Sequence, residues 1–130
     1  MARLLLDSTV IIDALRGRPA ADRLVGLRRR GIEPWVCPIS VEEIWRGLRH
    51  GEEAAVRRFF GAVRIAPIGV REGELAGTWR RTFAERGITL HQADCLIAAA
   101  AHGIEASLAT ANVGDFPMDG LVVERWPIGE

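Results

Sequence analysis

Short apolar runs alternate with helical patterns along the whole chain, and that alternation leaves few folds open. The apolar runs are Leu4–Leu6, Trp35-Val36-Cys37, a weaker Arg64-Ile65-Ala66, Ala106–Ala109 and Leu121–Val123. Between them lie helical patterns. One starts at Ser8 or Thr9 as cap, runs through Ala14 and Leu15, and stops at Gly17. A second opens at Pro19 and closes through Arg28-Arg29-Arg30 onto Gly31, with cations in the last turn as the helix dipole favours. Further patterns run from Ser40 to the Gly47–His50 region, from Glu53 to Ala62, from Glu72 to Arg86 and from Gln92 to His102. Strand–helix alternation of this kind produces a mainly parallel sheet covered on both faces. The expectation is an α/β fold: one domain, spanning 1–130, with a central sheet of four to five strands and helices on both sides.

With 48 % hydrophobic residues the chain can fill such a core. Its longest apolar stretch, Leu96–Ala101, is far too short to span a bilayer. The N-terminus passes from Met1-Ala2-Arg3 straight into a strand pattern, with no room for a signal peptide, so the expected location is cytoplasmic with no membrane partner. Cys37 and Cys95 sit in apolar contexts without a CxxC partner, which favours two small buried hydrophobes over a disulfide or zinc site. Net charge is zero, from 17 basic and 17 acidic residues, which excludes a simple polycation. Every basic residue is arginine, whose planar fork binds phosphate or carboxylate bidentately.

In parallel α/β sheets, ligands sit outside the carboxyl ends of the strands. Asp7 stands at the end of the first strand pattern, where it could equally cap a helix. The aspartyl-phosphatase pattern needs a second acid two residues later, and that position is Thr9. Glu43 lies in Ser40-x-x-Glu43, the spacing of a capping box. Its neighbour Glu42 would point about 100° away on a helix, toward solvent. Asp94 interrupts an otherwise apolar, alanine-rich helix, where a charge is costly unless paired or metal-bound. Asn112 and Asp115 lie in a loop that leaves a strand end. Together these four islands offer hard carboxylate oxygens, the donor set for Mg²⁺ or Mn²⁺, and such a cation most often acts on a phosphodiester. Clustered acids repel, so one should carry a raised pKa without metal. His50, His91 and His102 show no metal-ligand spacing and are expected at caps or on the surface, with His91 placed just before the Asp94 helix.

These motifs resemble those of PIN-domain nucleases, specifically the VapC-type toxins of type II toxin–antitoxin modules. Leu-Asp-Ser-x-Val-Ile-Ile-Asp at 6–13 is similar to the family's opening, Ser40-x-x-Glu43-Ile44-x-x-Gly47 to its second motif, Asp94-x-x-Ile97-Ala98-Ala99-x-Ala101 to its third, and Thr110-x-Asn112-x-x-Asp115-Phe116 to its fourth. The resemblance spans residues 4 to 116 in the right order. It implies a Mg²⁺- or Mn²⁺-dependent endoribonuclease that cuts RNA, forms a homodimer and is inhibited by a cognate antitoxin. Metal binding would fall to Asp7, Glu43 and Asp94. The fourth catalytic corner would be Asp115, or Asn112 where some relatives carry an acid. Arg46 and Arg49, on the helix that carries Glu43, would hold the RNA backbone. The competing expectation is a catalytically weakened PIN-like module that holds RNA or a partner without cutting, and Asn112 is the feature that supports it. A small phosphatase or nucleotide hydrolase would lack its P-loop and phosphate-binding lysine here. Trp45, Phe59, Phe60, Trp79 and Phe83 offer more aromatic surface than one small core obviously needs, in keeping with a dimer.

Overall fold

A computed structural model describes residues 2–128. The chain runs β1 (Ala2–Leu6), α1 (Ser8–Leu15), α2 (Pro19–Leu27), a 3₁₀ turn (Arg28–Arg30), β2 (Ile32–Val36), α3 (Pro38–Arg46), α4 (Glu53–Ala62), β3 (Arg64–Ile65), α5 (Val70–Glu85), α6 (Gln92–Gly103), β4 (Ser107–Thr110), a second 3₁₀ turn (Val113–Asp115) and β5 (Val123–Arg125). The strands form one sheet in the order β3-β2-β1-β4-β5, with every pairing parallel. Among the described residues no helix is long and apolar enough to cross a membrane.

The leucine run of β1 is continuous because both faces of this strand are covered. Successive side chains point to opposite sides. Leu5 joins the core beneath α5 and α6, whereas Leu4 and Leu6 join the core beneath α1–α4. The alanines of α6 serve close packing. Ala98–Ala101 are fully buried, so their short side chains let the helix lie tightly between the sheet and α5.

Five local expectations need correction, one of them the last strand, which runs Val123–Arg125 rather than Leu121–Val123. The first helix is capped by Asp7 rather than by Ser8 or Thr9. β2 begins at Ile32 and ends at Val36, with Cys37 as the N-cap of α3 and Pro38 at its first position. β3 pairs only from Trp35 onward, which leaves one flank of Pro34 open and tolerates a residue without an N–H there. Because α3 starts earlier than the pattern suggests, Ser40 lies inside the helix and the Ser40–Glu43 capping box does not form. The reciprocal carboxylate contact occurs at α5 instead, where Glu72 Oε1 accepts from Gly69 N at 2.7 Å. Finally, Gly103 remains helical and Glu105 takes the left-handed φ of 56°. A Cβ at Gly103 would stand 3.2 Å from Glu72 Oε2, close enough that the Glu72 side chain would have to shift by a few tenths of an ångström.

The aromatic residues also find uses within one protomer. Trp79 and Phe83 are core residues, and Trp45, Phe59 and Phe60 pack partly buried against the other core, with Arg57 lying over Trp45 at 5.0 Å. Trp79 and Phe83 are thereby accounted for within one copy, while Trp45, Phe59 and Phe60 keep part of their surface open. Cys37 and Cys95 are free and buried, and burial pushes both thiols up from their ordinary range.

β1 sends its chain toward β2 on one side, while β4 returns to its other side. The strand order therefore reverses between β1 and β4. In open α/β sheets the carboxyl ends of the strands flanking such a reversal are where ligands bind.

Candidate functional site

Asp7 closes β1 at this reversal and is only 5 % exposed. Its backbone N–H donates to Ala109 O across the β1–β4 pair at 2.9 Å. Its carboxylate accepts three hydrogen bonds: Oδ1 from Ser8 N at 2.8 Å, and Oδ2 from Thr110 Oγ1 at 2.7 Å and Thr9 Oγ1 at 3.1 Å. Asp7 is thus a helix cap and also the acid at the switch point; the two roles use different lone pairs of one carboxylate.

Glu43 projects from α3 toward the same edge. Ser8 Oγ lies 2.8 Å from Glu43 Oε1 and 3.0 Å from Ser40 Oγ. Ser8 has one hydroxyl proton, and the carboxylate is the stronger acceptor. Ser8 therefore donates to Glu43, which fixes that side chain to the turn beginning at Asp7. Glu42 is exposed, as its helical phase requires.

Asp94 occupies the first turn of α6 and is half-buried. Its carboxyl is pushed up to about 6, chiefly by burial, then by the negative charges of Asp115, Asp7 and Glu43, with His91 opposing. Acids from the end of β1, α3 and the second 3₁₀ turn therefore act together on Asp94, in α6, and disfavour its charged form. Asp115, exposed on its turn, is the strongest charge acting on Asp94. Asn112 is also exposed, and its backbone N–H donates to Thr110 Oγ1 at 3.0 Å.

His91 is, as expected, an exposed cap residue just before Asp94: it is the N-cap of α6, and its charge acts on Asp94. His50 is exposed after α3, and His102 stands edge-on to Trp79 with ring centroids 6.4 Å apart. Arg46 and Arg49 are exposed at and just beyond the end of α3. The sequence reasoning missed the hydroxyls Ser8, Thr9, Ser40 and Thr110, which organise the acids. Serine and threonine after a strand read as caps, and nothing in their spacing points to a carboxylate on another segment. It also missed Asp13, which is 2 % exposed and accepts from Ala20 N at 3.1 Å to close the turn between α1 and α2.

Among the described residues, no three His, Cys, Asp or Glu side chains converge closely enough to enclose an ion unaided. The acids act on one another through charge. The donor set is oxygen only and negatively charged, which fits a hard cation that keeps much of its water and takes one or two carboxylates, as Mg²⁺ does.

A parallel α/β fold with acids gathered at the β1–β4 switch point is the class these features define. The family profile described as "PIN domain" matches residues 4–116, and the chain belongs to that family. Ribonuclease VapC19 of Mycobacterium tuberculosis is 40 % identical over 115 residues, covering 88 % of this chain and 92 % of the relative. Ribonuclease VapC10 of the same organism is 37 % identical over 120 residues, covering 88 % and 86 %. Among solved structures, the crystal structure of VapBC2 from Rickettsia felis bound to a DNA fragment from its promoter superposes with a TM-score of 0.84 at 18 % identity, covering 95 % of this chain and 98 % of that one.

Proposed function

We propose that this chain is a divalent-cation-dependent endoribonuclease that hydrolyses RNA phosphodiester bonds and acts as the toxin of a toxin–antitoxin pair. The observation that carries this reading is the joint action of Asp7, Glu43 and Asp115 on Asp94, which is held near pKa 6 by burial and its fellow acids. Relatives named as ribonucleases at 37–40 % identity support the substrate class.

Asp7 and Asp94 would hold Mg²⁺ or Mn²⁺ with Glu43. A bound cation supplies charge to polarise a scissile phosphate and lower the pKa of water. The protein's own contribution is positional. Ser8 holds the Glu43 carboxylate, which orients the attacking water and accepts its proton. Asp115 provides a fourth negative charge where Asn112 cannot, which favours cutting over mere binding. Arg46 and Arg49 reach RNA phosphates from the rim.

An antitoxin fits the adjacent surface. A groove of about 450 Å³ between α1, α2 and α4 is lined by Ala14, Leu15, Leu24, Val25 and Phe59, with Val25 70 % exposed. Leu15 also lines a smaller hollow that reaches Glu43. A partner with an apolar helix followed by an arginine would fill the groove and pair with the acids. Solved neighbours include VapBC toxin–antitoxin complexes. Self-association into a homodimer and a cytoplasmic location complete the proposal.

The test is RNA cleavage by the purified chain with and without cation. Cutting should require Mg²⁺ or Mn²⁺ and stop in EDTA. Undiminished cutting in chelator rejects the reading.

A further inference from the structure

The Asp7 carboxylate is tied to the loop after β4 by more than its role as a cap. Thr110, the last residue of β4, is fully buried. Its hydroxyl donates to Asp7 Oδ2 at 2.7 Å and accepts from Asn112 N at 3.0 Å. Thr9 repeats the pattern from the other side: its hydroxyl donates to the same oxygen at 3.1 Å and accepts from Ala111 N at 3.4 Å. Two threonines from separate segments therefore converge on one carboxylate oxygen, and each fixes a consecutive N–H of the loop that leads to Asp115.

A carboxylate has about four lone-pair sites, two on each oxygen. Oδ2 uses both on the threonines, and Oδ1 uses one on Ser8 N. One site remains, on Oδ1. We propose that Thr110, seconded by Thr9, is a positioning residue that withholds Oδ2, so that Asp7 meets a cation through Oδ1 alone, and that anchors the Asn112–Asp115 turn to the same carboxylate. This rests on the cation-dependent reading above and specifies how one of its acids is held. Bidentate engagement by Asp7 is excluded while both hydroxyl bonds persist. The place of Asp115 opposite Asp94 then depends on a buried hydroxyl that would touch neither cation nor RNA.

Three variants test this: Thr110→Val, which keeps shape and removes the hydroxyl; Thr110→Ser, which restores it; and Thr9→Val, which removes only one of the two bonds. Mn²⁺ binding is measured by the electron paramagnetic resonance signal of free Mn²⁺, beside kcat and KM for RNA and the melting temperature in chelator. With Thr110→Val, Mn²⁺ affinity and kcat should each fall about 10–100-fold, the size typical of a lost partner behind a metal ligand. KM should stay within about twofold, because the RNA backbone contacts lie elsewhere. Thr110→Ser should recover both losses. A Thr110→Val protein that melts lower yet binds Mn²⁺ and turns over like the parent overturns the proposal and leaves Thr110 a core hydrogen bond. If Thr110→Val fails to fold, Thr9→Val decides: reduced Mn²⁺ affinity supports the proposal, and parental affinity overturns it. Absence of Mn²⁺ binding by the unsubstituted protein, seen before any variant is made, overturns the cation-dependent reading itself.

Discussion

Replacing Asp94 with asparagine should stabilise the metal-free protein while abolishing its activity. The Asp94 carboxyl rises from 3.8 to about 6 on folding, because burial and then Asp115, Asp7 and Glu43 disfavour its charged form. Between those values the folded state binds more protons than the unfolded one. Stability therefore falls as pH rises through that window and stays low above it. Roughly two units correspond to about 3 kcal/mol. Solvent screening of a half-exposed group reduces this to about 1–2 kcal/mol. Asparagine keeps the shape, removes the charge, and gives up about 0.5 kcal/mol of helix-dipole stabilisation in the first turn of α6. A net gain of about 1 kcal/mol raises the melting temperature by about 3–5 °C at this chain length. Circular-dichroism melts in EDTA at about pH 7.5 read the gain directly. At about pH 4.5, where folded Asp94 is largely protonated, the gain should shrink to about a third. Mn²⁺ should raise the melting temperature of the parent and leave Asp94→Asn unmoved. A metal-free Asp94→Asn protein that melts below its parent at pH 7.5 would refute the reasoning and make this carboxylate a structural part of α6.

Asp7 behaves differently, because its carboxylate is an acceptor as well as a charge. Asp7→Ala should cost about 2–3 kcal/mol in a denaturant titration by removing the cap and stranding the Thr110 hydroxyl, whereas Asp7→Asn keeps an oxygen for Ser8 N and should cost less, with cleavage lost in both. Glu43→Gln should lower kcat at least tenfold and Glu42→Gln should leave it unchanged, since only Glu43 is held by Ser8; equal rates would remove Glu43 from the reaction. Sedimentation at tens of micromolar should show a dimer, and a monomer mass would count against self-association.

The alternating pattern was enough to identify the sheet class, since strand and helix periods are local and survive in the sequence whatever the chain packs against. The α4 boundaries at Glu53 and Ala62 follow directly from that pattern. Boundaries failed where tertiary contact overrode the local signal. Gly103 looks like a stop but remains helical beside Glu72, and Ser40 looks like a cap but sits inside a helix begun by Pro38. Of the aromatic residues that looked like an excess, Trp79 and Phe83 entered one core and Trp45, Phe59 and Phe60 pack partly buried against the other, because a sheet covered on both faces has twice the area to bury.

What the sequence by itself determined is the supply of parts: a first strand closed by an acid, helices of the right length between the strands, and four carboxylates without a histidine or cysteine pattern of metal-ligand spacing. Which carboxylates meet was decided only by the tertiary structure. The strand order β3-β2-β1-β4-β5 puts the end of β1 beside the end of β4, which brings Asp7 to Thr110 across 103 positions of chain. That one clustered acid would be raised was legible in the sequence, but that it is Asp94, and that Thr110 holds Asp7 and Ser8 holds Glu43, was not. These features arise from burial first, for Asp94, and then from charge and hydrogen bonding between segments that only the fold makes neighbours.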